Sequence, residues 1–166
     1  MYAIPQNAIN DLVPEVCEEV AGKCANVVGV KYSFPDFTRL QNLMLVRNQT
    51  FDVLVGPDHL FEAVCAVGGR GVVSGNAMII REHYAAVWKA IGEKDYEKAT
   101  KLQRRTNVLN STMCAVNNIA AYKAILVKEG VIASKRCRRP MEELTPDYES
   151  KMLAEMDRLD YKNVII

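Results

Sequence analysis

The sequence offers little to a metal ion. Its 166 residues include only two histidines, His59 and His83, and its five cysteines (Cys17, Cys24, Cys65, Cys114 and Cys137) are scattered, with no Cys-x-x-Cys pair. No structural zinc site is therefore expected, and an odd, unpatterned set of thiols reads as a reduced, cytoplasmic protein. Excess charge is missing too: the formal net charge is +1, which gives no global reason for a nucleic acid, an anionic membrane or an acidic partner. No apolar run approaches the roughly 20 residues that span a bilayer. The opening Met-Tyr-Ala-Ile-Pro has neither the basic segment nor the apolar core of a signal peptide. Low-complexity segments and long linkers are absent as well.

What is present is enough apolar material for a core, 49% hydrophobic against 25% charged residues, in a chain the size of one domain or of a fragment of a larger one. Phe51-Asp-Val-Leu-Val-Gly56 is a short β-branched run that reads as a buried parallel strand. Asp58 can then cap a helix carrying Leu60, Phe61, Ala63, Val64 and Val67, which stops at Gly68-Gly69. Gly71-Val-Val-Ser74 reads as a second buried strand, followed by a helix containing Tyr84, Val87, Trp88 and Ile91. The same rhythm runs upstream. Tyr2-Ala-Ile-Pro5 ends a strand and Asp11 to Ala21 forms a helix with Leu12, Val16 and Val20 inward; Asn26 to Lys31 is a strand and Asp36 to Val46 a helix. Four strand–helix units of about 25 residues imply parallel strands joined by right-handed crossovers.

From Tyr96 onward only helices are expected, with breaks near Gly130 and Arg138-Arg139-Pro140. The expected division is a half-barrel over 1–94 and a helical extension over 95–166, packed together as one domain. Four parallel strands do not close a barrel, which ordinarily needs about eight. Open edges and an uncovered apolar face recruit other chains, so a simple monomer is not expected.

Lys31 is the sharpest chemical feature. A lysine closing the strand Val27-Val-Gly-Val lies where a sheet is apolar, and burying its ammonium there would lower its pKa and make the amine a nucleophile toward carbonyl carbon. A lysine snorkelling from a strand end toward solvent fits the same position. Basic clusters at Lys101, Arg104, Arg105 and at Lys135, Arg136, Arg138, Arg139 lack interleaved aromatics or a recognition motif, and read as a solvated helix face and a turn. The stripe Met152, Leu153, Met156, Leu159 on the last helix reads as core or subunit contact.

Taken in order, Tyr2-Ala-Ile-Pro5, Val27-Val-Gly-Val-Lys31, Val55-Gly-Pro-Asp58, Gly69-Arg-Gly-Val-Val-Ser74, Asn117-Asn-Ile-Ala-Ala-Tyr-Lys123 and Arg138-Arg-Pro-Met141 resemble the dihydrodipicolinate synthase and N-acetylneuraminate lyase family. The resemblance covers roughly residues 2 to 158 and implies the carboxyl-terminal half of a (β/α)8 barrel, strands five to eight, with carboxyl-terminal helices. It implies a lysine-imine carbon–carbon lyase, a class I aldolase acting on pyruvate or another 2-oxo acid and an aldehyde. Lys31 matches the imine-forming lysine and Tyr2 the proton-relaying phenol; Gly56 and Asp58 match the loop toward the second substrate, and Ser74 and Gly75 the end of the last strand. Each position also has a structural account: terminus packing for Tyr2, a helix cap for Asp58, and tight strand–helix packing for Ser74 and Gly75. No metal or organic cofactor is implied, because the protonated imine is itself the electron sink.

Departures from the family pattern are specific. Ala3 replaces the asparagine after the tyrosine, Tyr32 follows the lysine where a smaller or acidic residue is common, and Asn7 stands where synthase members carry a carboxylate-binding arginine. This points toward an aldolase or a sialic-acid-lyase-like relative. His59 sits where a loop could touch a polyhydroxylated substrate or simply be solvated. The family's Gly-Thr-Thr-Gly-Glu turn, which holds the pyruvate carboxylate, and a relay tyrosine from strand four have no counterpart in the sequence. Three expectations follow: an enzyme completed by an amino-terminal half, a truncated half-barrel that self-associates without turnover, or a binding module keeping an imine-competent lysine.

Overall fold

The computed structural model describes residues 1–113 and 118–165, so Cys114 and Asn117 lie outside the described residues. The chain divides into two compact units, Met1–Ser74 and Gly75–Ile166.

The first unit is built on a parallel four-stranded sheet whose strands lie side by side in chain order: β1 (Tyr2–Ala3), β2 (Gly29–Tyr32), β3 (Asp52–Val55) and β4 (Gly71–Val72). Helical segments follow the first three strands: α1 (Pro5–Ala8) and α2 (Pro14–Lys23), then α3 (Phe37–Leu43) and the short α4 (Val46–Gln49), then a single 3-10 turn (Asp58–Leu60) and α5 (Phe61–Ala66). The register sets Tyr2, Lys31, Leu54 and Gly71 in one row across the sheet, and Ala3, Tyr32, Val55 and Val72 in the next. Because strand side chains alternate between faces, Ala3, Val30, Tyr32, Val53 and Val55 share one face and all are buried. Cys17 and Ala21 of α2, Leu40 and Leu43 of α3, and Phe61, Val64 and Cys65 of α5 are buried with them. The opposite face is open. Tyr2 is 53% exposed, and Lys31, Leu54 and Gly71 are only half-buried.

This one-sided burial corrects several expectations. Gly71–Ser74 is not a buried strand: β4 has two residues, and Val73 is exposed. The run at Phe51–Gly56 is covered on one face only. In β2 the ladder begins at Gly29, and Tyr32 rather than Lys31 is its last residue. The first long helix starts at Pro14, whose fixed φ suits the opening turn, and its inward face is Cys17 and Ala21; Val16, expected inward, is 39% exposed. The small thiol and methyl let the helix approach closely, a choice invisible to a search for large apolar residues. Helix α3 begins as expected, with the Asp36 carboxylate accepting the Arg39 backbone N–H at 2.8 Å.

The second unit holds α6 (Ala77–Gly92), α7 (Tyr96–Met113), α8 (Asn118–Lys128) and α9 (Pro146–Arg158). Helix α6 packs most extensively on α7, where its buried Tyr84 meets Asn110. Gly130 ends the α8 region with φ of +72°, a conformation that favours glycine. Thr145 caps α9, accepting the Tyr148 N–H, and Pro146 opens it. Met152 and Met156 of the α9 stripe are buried. Several polar groups inside this unit are paired: Asn110 Nδ2 donates to the Tyr84 hydroxyl at 2.9 Å, the Tyr122 hydroxyl donates to Asn76 at 2.7 Å, and His83 Nε2 donates to the Tyr161 carbonyl at 2.9 Å.

Candidate active site

Lys31 reaches the open face because it is two residues from Gly29 on a strand whose intervening residue, Val30, points into the core. Its register partner on β1 is Tyr2, and Lys31 Nζ lies over the Tyr2 ring, 4.4 Å from the centroid. Such a contact at an exposed site contributes about 0.5–1 kcal/mol. Side by side on adjacent strands, an amine and a phenol form the minimum set for nucleophilic attack on a carbonyl with a nearby proton carrier.

The loops past the strand ends close around one another. Ser33 N–H donates to the Ala3 carbonyl at 2.8 Å, Gly56 N–H to the Tyr32 carbonyl at 2.8 Å, and Val73 N–H to the Val55 carbonyl at 3.0 Å, so pairing continues beyond each strand. Gln6 Nε2 donates to the Ser33 carbonyl at 2.8 Å. Gly56 lies so close to Ser33 that an added Cβ would come within 2.6 Å of the Ser33 Cα. That proximity, rather than backbone dihedral freedom, is what requires glycine there. Asp58 opens the 3-10 turn two residues later, His59 beside it is exposed, and Ser74 is half-buried after β4. Gly56, Asp58 and Ser74 thus stand beyond the strands' carboxyl ends, where α/β barrels place their chemistry, and Tyr2 and Lys31 share the row one residue before those ends. Gly75 begins the second unit, with its backbone against Tyr122; a Cβ would sit 2.8 Å from that ring's Cε2, so close packing accounts for this glycine.

Two contributions escaped the sequence reading. Ser33 is one, although a period of two from Lys31 would have found it. The other is a cluster behind β2: the Arg39 guanidinium pairs with Asp11 at 2.5 Å, and the buried Tyr32 hydroxyl lies 3.4 Å from the same carboxylate. Burial, and then the Asp11 charge, push the Tyr32 phenol above its ordinary pKa. Arg39 and Asp11 are 28 residues apart, and no local pattern links them. Among the described residues no group of three His, Cys, Asp or Glu is placed to hold a metal ion, and no helix is long and apolar enough to cross a membrane.

Comparison with known proteins bears on this arrangement directly. The profile of the dihydrodipicolinate synthetase family matches residues 1–158. The chain belongs to that family. A 4-hydroxy-tetrahydrodipicolinate synthase from Clostridium acetobutylicum is 30% identical over 156 residues, 92% of this chain and 53% of that protein. Among solved structures, a catalytic-lysine mutant of the Ruminococcus gnavus sialic acid aldolase superposes with a TM-score of 0.87 at 26% identity, over 96% of this chain and 53% of the other. A prophage protein of the family from E. coli K12, solved in complex with pyruvate, gives 0.85 at 19% identity, over 96% and 55%. The chain therefore spans about half the length of the family members it matches. The fold is the carboxyl-terminal half of a (β/α)8 barrel, its four parallel strands being half of the complete set.

Proposed function

We propose that this chain supplies the imine-forming half of a pyruvate-dependent aldolase or lyase, completed by an amino-terminal half-barrel. The observation that carries the reading is the pairing of Lys31 with Tyr2 on adjacent strands, the amine over the phenol ring at 4.4 Å, in a chain of this family. The catalytic lysine of the related sialic acid aldolase and the pyruvate bound by the related prophage protein support it.

In this reading the Lys31 amine adds to the ketone carbon of pyruvate and expels water, forming an imine. Protonated, the imine draws electrons from the adjacent methyl carbon, which loses a proton and leaves an enamine. The enamine carbon bonds to the aldehyde carbon, and the aldehyde oxygen takes up a proton. Water then cleaves the imine, returning the lysine and releasing the product; cleavage runs the same steps backward. Tyr2 carries protons at the imine, a role in which close placement decides the contribution. Gly56 and Asp58 shape the second-substrate side, and Ser74 and Gly75 stand at the last strand end. The clamp for the pyruvate carboxylate belongs to the other half, so positioning, and with it most of the rate, depends on its presence.

The test is borohydride trapping. Folded protein, alone and together with the amino-terminal half of the Clostridium acetobutylicum relative, is incubated with pyruvate, reduced, and analysed by peptide mass spectrometry. A stoichiometric adduct on the Lys31 peptide, lost in Lys31→Ala, is the expected result. Absence of an adduct in both samples sinks the proposal. The second reading, a non-catalytic half-barrel that associates with its own copies, draws on the half-exposed row Tyr2, Lys31, Leu54, Gly71. It predicts a homo-oligomer without any adduct.

A further inference from the structure

Inside the second unit, α6, α8 and the segments that follow α8 and α9 enclose a cavity of about 620 Å³, within the range of sites that take small molecules. Its walls are largely apolar: Met78, Ile79 and Ile80 from the first turn of α6, Leu126 from α8, and Val131 and Ile132 after Gly130. The charged groups around it are committed to one another. Arg81 pairs with Glu82 at 2.8 Å, while Glu129 accepts the Tyr161 hydroxyl at 2.7 Å and pairs with Lys162 at 3.3 Å. Among the described residues, a charged ligand therefore meets no uncommitted counter-charge here.

One polar atom of the wall is different. His83 also lines the cavity and is 1% exposed. Its Nε2 faces the Tyr161 carbonyl at 2.9 Å. A carbonyl can only accept, so Nε2 carries the hydrogen and Nδ1 of the neutral ring is left as an acceptor. Burial favours that neutral form. Among the described residues the Nδ1 acceptor has no partner, although it is buried. Leaving such an atom unpaired carries a desolvation cost that an incoming donor removes. The wall beside it is jointed: Ile80 has φ −122° and ψ +42°, so a kink sets the turn bearing Met78 and Ile79 apart from the rest of α6.

We propose that this cavity binds a neutral, mainly apolar ring compound carrying one N–H or O–H donor, which meets His83 Nδ1 as the first turn of α6 shifts about the Ile80 kink. The site stands apart from the Lys31 face and does not depend on the imine reading. The full chain, labelled with nitrogen-15, is titrated by NMR with two probes. Indole has a single ring N–H; benzothiophene has nearly the same shape and no donor. Indole is expected to shift the amide signals of Val131, Ile132 and Lys162, to move the His83 Nδ1 resonance, and to bind about fivefold more tightly than benzothiophene. Val131 is 64% exposed, so Val131→Arg is expected to fold, as checked by circular dichroism, and to weaken both probes by filling the mouth. His83→Phe is expected to bring the two probes to equal affinity; should that variant not fold, the Nδ1 resonance of the unaltered protein decides the same point. Failure of indole to bind, equal binding of the two probes to the unaltered protein, or an unmoved Nδ1 resonance overturns the inference. So does undiminished binding in folded Val131→Arg, or an unchanged ratio in folded His83→Phe.

Discussion

In the second unit buried polar groups meet one another: Tyr84 with Asn110, Tyr122 with Asn76, His83 with a backbone carbonyl. In the first unit the sheet splits its residues by face, with Val30, Val53 and Val55 sealed against helices while Tyr2 and Lys31 stand outward. One region buries most of its polar groups in pairs, and the other keeps a face whose side chains stand outward. Groups that act on a substrate cannot also be fully satisfied by the fold, so an incomplete face is where reactive chemistry has room. The sealed region supplies cohesion; in the imine reading the open row supplies the chemistry, at little cost to the core.

That contrast can be broken by substitution. Leu109 is fully buried in α7, and Leu109→Ala is expected to lower unfolding free energy by about 3 kcal/mol, while Leu54→Ala on the open row lowers it by less than about 1 kcal/mol, read from urea denaturation. Equal losses would mean that the open row is as tightly packed as the core. At the rim, Gly56→Ala drives a methyl toward the Ser33 backbone, with an expected loss of about 2 kcal/mol and a weakened pyruvate adduct. Gly22, inside α2 with open space around its missing side chain, should behave oppositely: Gly22→Ala raises stability by about 0.5–1 kcal/mol, read from the same denaturation curves.

The subtlest difference is one of pH. His83 is buried with Nε2 on the Tyr161 carbonyl, and among the described residues its Nδ1 has no partner. Burial holds its pKa below the ordinary 6.5, with the Arg105 charge adding to the effect. A histidine that takes up a proton less readily when folded contributes stability that is complete above its unfolded pKa and is lost as pH falls through the folded one. Denaturation midpoints should therefore hold above about pH 6.5 and decline below it, and His83→Gln should flatten that decline. An unchanged acid slope in the variant would exclude His83 as the cause.

The sequence was most informative where periodicity and punctuation agree. Asp36 capping α3, the glycine stop at Gly130 and the order of four strand–helix units were all readable from local pattern. The position of Lys31 beside Tyr2 was readable only through family resemblance, since 29 residues separate them and nothing local records their register. Burial was misjudged where size was used as its proxy: Cys17 and Ala21 face inward while Val16 does not. The short length of β4 was missed because Val72 and Val73 have high strand propensity whether or not a partner strand is present. The Asp11–Arg39 pair was beyond reach for the same reason as the lysine's register, being set by tertiary approach alone.

Strand order that repeats chain order has a consequence for how the protein is made. As the polypeptide leaves the ribosome, each new strand finds its neighbour already synthesised: β2 beside β1, β3 beside β2, β4 beside β3. The sheet can then grow by addition at one advancing edge, with closure of loops of modest length at each step. No strand has to wait for a later one to be threaded between its neighbours. Synthesis and assembly can run in the same direction.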